Sequence, residues 1–192
     1  AGRARVRGLE TEIVARLFPG FELSGSHSYT KGKYREYLLA VSPDPATGAG
    51  NGIKQTCTGP VSIPRGVGAP ITFLDLSCAP FPFSPKHQFS INARYEADLG
   101  DARMVVSANY THADKNWTAV TILPEAGRGG YVDAYDLVNA SVEFNGIYGS
   151  GLDARLFVTN LFDKTFYSSS YSQMWVFPGN GRKFTLSGQY KF

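Results

Sequence analysis

Apolar and polar side chains alternate without a break over the ten residues Lys183 to Phe192. Phe184, Leu186, Gly188, Tyr190 and Phe192 fall on one face, and Lys183, Thr185, Ser187, Gln189 and Lys191 on the other. Successive strand residues point to opposite sides, so this run reads as a β-strand with one apolar and one polar face. Six more segments alternate in the same way: about Val6–Leu17, Phe21–Thr30, Gln88–Glu96, Arg103–Thr111, Val138–Phe144 and Leu152–Thr159. Several run to about ten residues, where strands of water-soluble domains average nearer five or six. The expected fold class is therefore all-β, an antiparallel meander of about seven long strands.

Composition agrees and excludes the main alternatives. The chain has 192 residues, enough for one domain, with 14% aromatic and 18% charged residues, 21 Gly and 11 Pro. That aromatic content is too high for a disordered chain. No run of about 18 consecutive apolar residues exists, so no transmembrane helix is expected. Membrane-spanning strands escape that test, because each apolar residue is followed by a polar one. The net charge of +3 comes from scattered Lys and Arg, which gives no nucleic-acid footprint. The stretch AGRARVRGLE has no apolar centre and is not a signal peptide.

The connections between alternating runs follow a short, long, short, long, short, long order. Phe18-Pro19-Gly20, Leu99-Gly100 and Asn145–Gly151 are short, whereas about Glu36–Pro85, Ala113–Val132 and Lys164–Gly181 are long. Bacterial outer-membrane barrels have tight periplasmic turns and long external loops. A soluble sandwich has no physical reason to gather every long connection at one end. About 9–11 tilted residues cross a bilayer, which matches the runs. The order makes the first and last strands descend toward the periplasm. A two-residue Leu99-Gly100 loop sets Glu96 opposite Arg103 and Tyr95 opposite Met104. Arg16 faces Glu22 in the same manner. Glu143 is expected opposite Arg155, since facing Asp153 costs roughly 0.2–1 kcal/mol in like-charge repulsion. Single-chain bacterial barrels have an even number of strands. Seven are therefore expected to be the C-terminal third of a larger wall.

Four short motifs, in order, resemble the C-terminal barrel of TonB-dependent outer-membrane receptors. Arg7-Gly8-Leu9-Glu10 resembles that family's "RG-apolar-Glu" strand. Ser84-Pro85-Lys86-His87 resembles its "P-K-H" lead into a descending strand. Asn160-Leu161-Phe162-Asp163-Lys164, with Tyr167 after it, resembles "NLFDKxY". Pro178-Gly179-Asn180-Gly181-Arg182 resembles the closing "PGxxR". The resemblance implies a 22-stranded barrel in the bacterial outer membrane, with residues 1–192 forming its C-terminal part. It implies an N-terminal plug, absent here together with the first strands. It also implies import of a scarce, bulky nutrient such as an iron–siderophore complex, cobalamin or a glycan. The implied partners are outer-membrane lipid, the missing plug and strands, TonB and the barrel-assembly machinery; the cargo itself is not legible. That machinery would read the assembly signal at Tyr190 and Phe192, although Ser187 stands where Gly is usual. No enzyme activity, catalytic residue, cofactor or metal site is expected.

Other residues are read for their structural role. Asn160 and Asp163 are expected to bind nearby backbone in a turn, with Lys164 near water. Tyr29, Tyr110, Trp117, Tyr167 and Trp175 fall near outer strand ends; Phe18, Tyr95, Phe144, Tyr190 and Phe192 fall near inner ends. Two aromatic girdles are the expected arrangement, with Trp117 and Trp175 also placed to reach a ligand from loops. The polar wall carries Glu10, Glu12, Arg16, Glu22, Arg94, Glu96, Arg103, Asp153 and Arg155, expected to pair with one another or with a plug. In an exported protein Cys57 and Cys78 are expected to form a disulfide, a closure of roughly 3 kcal/mol. His27 sits on the lipid-facing side without a sequence rationale. Two other architectures compete. A small complete barrel needs an eighth strand within residues 36–85, whose prolines oppose it. A secreted β-sandwich needs the apolar faces to pack together.

Overall fold

The structure, a computed structural model, describes residues 2–41, 57–58, 61–63, 71–118, 130–171 and 175–191. Strand β1 spans Arg3–Phe18 and β2 spans Phe21–Glu36. Three short strands follow: β3 (Leu38–Val41), β4 (Val61–Ile63) and β5 (Ile71–Asp75). Next come β6 (His87–Leu99), β7 (Ala102–Ala113), β8 (Asn116–Trp117), β9 (Tyr131–Val132) and β10 (Tyr135–Asn145). A 3-10 turn at Ile147–Gly149 leads to β11 (Leu152–Thr159). The last elements are β12 (Tyr167–Tyr171), β13 (Trp175–Pro178) and β14 (Lys183–Tyr190).

The long alternating runs form one antiparallel sheet in the order β1-β2-β6-β7-β10-β11-β14. Its tight turns, at residues 19–20, 100–101 and 146–151, share one end, and the long connections share the other. The first turn depends on Gly20, whose φ is +80° and whose missing Cβ would stand 2.2 Å from the Glu96 carbonyl oxygen. β1 and β14 have a wall neighbour on one side only among the described residues. The sheet is open.

Within the long connections lie three small sheets, β3-β5-β4, β8-β9 and β12-β13. They are additions to the expected meander. Strands of two to five residues are too short to show a period in sequence. Among the described residues of that first long connection, β3, β4 and β5 pair with one another and none joins the wall.

Two expected registers hold. Arg16 lies opposite Glu22, with Nε 3.2 Å from Oε2, and Glu143 lies opposite Arg155 at 3.9 Å. The β6–β7 register needs correction. The loop residues are Gly100 and Asp101, so Asp98 faces Arg103, Glu96 faces Val105 and Tyr95 faces Val106. Gly100 takes φ +66° at the first loop position. The two-residue slip leaves every side chain on its face. It also gives Arg103 two acids, Asp98 directly across and Glu96 on the diagonal, and Glu96 forms the ion pair.

The apolar side has no second layer over it. Ile91, Val106 and Leu156 lie on strands paired on both sides, yet keep 43%, 40% and 42% of their surface exposed. A sandwich would have buried them, and that architecture is excluded. Buried apolar side chains are few: Val105 and Val158 in the wall, Ala113 and Val132 near its loop end, and Leu74, Leu76 and Ala79 in the first long connection. This is a wall, with no central core among the described residues.

Candidate functional site

The polar face collects the charged and hydrogen-bonding side chains, because alternation sends every second residue of seven adjacent strands to it. Near the loop end a groove of about 450 Å³ is lined in part by Glu10, Glu12, Ser28, Gln88, Ser90 and Tyr135. Near the turn end a second, of about 550 Å³, lies between Phe18, Phe21, Arg16, Glu22, Arg94 and Glu96. In the second, acids and bases neutralise one another: Glu96 accepts from both Arg94 and Arg103, and Arg16 holds Glu22. Farther along that end, Lys191 Nζ stands 2.8 Å from Asp153 Oδ2, whose partner oxygen accepts from Gly146 N–H at 2.9 Å. In the loop-end groove Glu10 and Glu12 make no ion pair among the described residues. They are acids left without an ion-pair partner on the polar face of the described residues.

Between the two grooves runs a line of asparagines. Asn92, Asn109 and Asn139 occupy facing positions on β6, β7 and β10. Asn109 Nδ2 donates to Asn92 Oδ1 at 2.7 Å and to Ser90 Oγ at 2.9 Å, and Asn139 Nδ2 donates to Asn109 Oδ1 at 3.4 Å. Asn139 Oδ1 then accepts the backbone N–H of Asn160 at 2.9 Å. The sequence signal was present, since Asn recurs at polar positions of successive strands, but only the registers align it.

Asn160 anchors the segment after β11. It is 4% exposed and sits at φ +49°, a conformation Asn tolerates better than most residues. Its Nδ2 donates to the Lys164 and Asn180 carbonyls at 2.9 and 3.1 Å, and its Oδ1 accepts Lys164 N–H at 2.9 Å. Leu161 N–H donates to Val138 O at 2.8 Å, and Phe162 projects outward, 73% exposed. Asp163 Oδ1 accepts Arg182 N–H at 2.8 Å, and the Arg182 guanidinium reaches Leu161 O at 3.4 Å. Lys164 Nζ lies 3.4 Å from Asp136. Gly179 lies against the Phe166 ring, which a Cβ would overlap at 2.0 Å. The segment 160–164 is thus fastened to 178–182 through backbone groups. Tyr167 and Pro178 face each other at the base of the β12–β13 ribbon. Gly8 faces Thr30 and Glu10 faces Ser28 in the β1–β2 pair. Tyr190 faces Leu152, exposed; Phe192 lies outside the described residues.

Aromatic and cationic groups gather beyond the grooves, in the long connections. Lys115 Nζ lies 3.6 Å from the Tyr131 ring centre and 4.5 Å from that of Trp117, and the two rings meet edge-on at 5.3 Å. Tyr34 stacks on Tyr37 at 4.8 Å and meets Phe81 at 5.1 Å. Trp117 therefore belongs to a loop cluster, and Tyr167 and Trp175 belong to the β12–β13 ribbon. At the turn end Phe18 stacks on Phe21 at 4.8 Å and approaches Tyr95 at 6.3 Å. His27 finds its explanation here. Its Nε2 is 3.1 Å from His87 Nδ1, and it shares an outward-facing row with Phe89 and His112. His87 meets Tyr29 at 5.0 Å, Phe89 stacks on His112 at 4.7 Å, and both Tyr110 and His112 bond Asp136 at 2.7 Å. Amphipathic rings of this kind suit the boundary between hydrocarbon and water.

Cys57 and Cys78 are bonded, with Cα atoms 5.5 Å apart. Asp75 organises the corner beside them. Its carbonyl accepts Cys57 N–H at 2.8 Å, and its carboxylate accepts Ser77 N–H and the Thr58 hydroxyl, each at 2.9 Å. The Ser77 backbone N–H, then the Ser77 and Thr58 side chains, hold the Asp75 carboxyl below the usual carboxylate range. Among the described residues no three His, Cys, Asp or Glu side chains gather as metal ligands would.

Comparison with known proteins gives the family. No curated protein matches the sequence. The siderophore receptor PiuA from Acinetobacter baumannii superposes with a TM-score of 0.65 at 18% identity, over 100% of this chain and 22% of that one. The ferric-catecholate import receptor Fiu from E. coli K12 gives 0.65 at 19% identity, over 100% and 21%. The ferric yersiniabactin uptake receptor FyuA from Yersinia pestis gives 0.65 at 13% identity, over 100% and 24%. At these identities the likeness is one of fold, and the chain spans about a fifth to a quarter of each receptor. A family model for the β-barrel of TonB dependent receptor-like proteins matches residues 1–161, and the chain belongs to that family.

Proposed function

We propose that this chain is the C-terminal part of the wall of an outer-membrane receptor that imports a bulky, scarce nutrient with energy delivered through TonB. The carrying observation is the division of the sheet into an uncovered apolar face and a hydrogen-bonded polar face, with the long connections at one end. Hydrocarbon is the medium that suits the first face, and a lumen containing a plug suits the second. That the seven strands belong to a larger ring is supported by the share of each matched receptor that the chain covers, 21–24%. Within the class of nutrients, ferric siderophores are favoured over cobalamin or glycans. The superposed receptors are described as siderophore, ferric-catecholate and ferric yersiniabactin receptors. The mouth also carries ring and cation groups, Lys115, Trp117 and Tyr131 foremost, that can stack on the aromatic rings, or pair with the negative charge, of such a chelate.

The full-length gene product, purified from outer membranes in detergent, tests this reading. Titration with a panel of ferric siderophores is expected to quench tryptophan fluorescence at submicromolar concentration for at least one member. Binding of cobalamin or an oligosaccharide in place of every siderophore would overturn the nutrient class. Recovery of the protein from the soluble fraction would overturn the wall itself.

A further inference from the structure

We propose that the outward side of the β1–β2 hairpin, just beyond its apolar band, binds the phosphate groups of lipid headgroups in the outer leaflet. The inference rests on the membrane-wall reading above. It starts from an anomaly of pairing. Arg7 lies directly opposite Lys31, and Arg5 directly opposite Lys33. Facing residues of an antiparallel pair share a side and bring their Cβ atoms to about 4.5–5.5 Å, where like charges repel. Two consecutive same-side rows are therefore wholly cationic. All four side chains are exposed, and among the described residues none makes an ion pair. Of the two acids nearest in sequence, Glu36 is held by Arg3 at 2.9 Å, and Glu10 falls on the opposite side of the sheet. Lys86 adds a fifth positive charge, its Nζ 6.0 Å from the centre of the Tyr29 ring.

Alternation fixes which side this is. Leu9 and Tyr29 form the next row on the same side, and Ile13 and Leu17 lie further down. Position along the strand fixes the depth. β1 and β2 each have 16 residues, where about 9–11 cross the hydrocarbon, so the rows at Arg5 and Arg7 stand beyond it. An outward cationic patch bordering an apolar surface meets the charged layer of the leaflet, and each such residue near an anionic surface contributes attraction. Successive same-side rows lie roughly 7 Å apart, so a headgroup bearing two phosphates can engage both. The four side chains are exposed on an open face, where a lipid-borne phosphate arrives already anchored.

The test uses the full-length gene product in detergent micelles, with diphosphoryl lipid A, its dephosphorylated form and inorganic phosphate as probes. Heat-modifiable migration in SDS gels reports the folded barrel independently of lipid binding. The expected result is selective retention of the diphosphoryl lipid, weakened about tenfold or more in R7Q/K31Q and reduced by salt. R5Q/K33Q, which leaves the inner row intact, is expected to fall between wild type and R7Q/K31Q. Three results would overturn the site: unchanged affinity in a heat-modifiable variant, equal binding of the dephosphorylated lipid, or full displacement by inorganic phosphate at equal concentration. Loss of heat-modifiability in the wild-type protein would instead overturn the wall reading beneath it.

Discussion

Asn160 shows how much one side chain settles. It closes hydrogen bonds to two carbonyls and one N–H while it is almost fully buried. Removing the amide strands those groups, at about 1–3 kcal/mol each for a buried unsatisfied polar group. Asn160→Ala in the full-length protein is therefore expected to lower the temperature at which the folded band is lost on gels. Phe162→Ala, whose ring is mostly exposed, is expected to leave it unchanged. Asp75 makes a prediction in pH. Its carboxyl is depressed by its hydrogen bonds, so the stabilisation is present above the ordinary carboxylate pKa and lost as pH falls through the lower, folded value. Proteolysis of the 57–78 corner is expected to accelerate below about pH 4. Asp75→Asn should abolish that acceleration; an unchanged profile would detach Asp75 from the corner's stability.

At the level of strands and hairpins, the seven wall strands and their facing could be read from the sequence because ten-residue runs repeat a period of two. Two hairpin registers were also legible, since Arg16 with Glu22 and Glu143 with Arg155 offer unlike charges in only one alignment. The β6–β7 hairpin was not. Registers two residues apart put the same side chains on the same faces, and both give Arg103 an acidic neighbour. What decides is where Gly100, at φ +66°, sits in the loop. Cysteines at positions 98 and 103 are accordingly expected to crosslink readily under mild oxidation. Cysteines at 96 and 103 are expected to do so far more slowly, and the reverse result would restore the rejected alignment. The asparagine line lay beyond sequence reading for a related reason: it needs two registers at once. The small sheets of the long connections lay beyond it because so few residues carry no period.

For the molecule as a whole, the outward face carries the main energetic consequence. Leu156 lies on that face in mid-wall, whereas Ser141 points to the polar side. Leu156→Arg is expected to cost about 2–4 kcal/mol if it lies near the bilayer midplane, read as a lower yield of folded full-length protein in outer membranes. Ser141→Arg is expected to be tolerated, and equal yields would deny that hydrocarbon touches the outward side. Expressed without further strands, these 192 residues are expected to aggregate in detergent-free buffer. The two seams of the sheet have a further meaning for biogenesis. Along β1 and β14 runs a row of amide and carbonyl groups with no neighbouring strand among the described residues, and inside a membrane each such group would cost several kcal/mol. A half-built ring parked in lipid is therefore not a resting state for this segment. On the proposed membrane reading, both seams are expected to be chaperoned or zipped before the lipid closes around them, which would make insertion a concerted event.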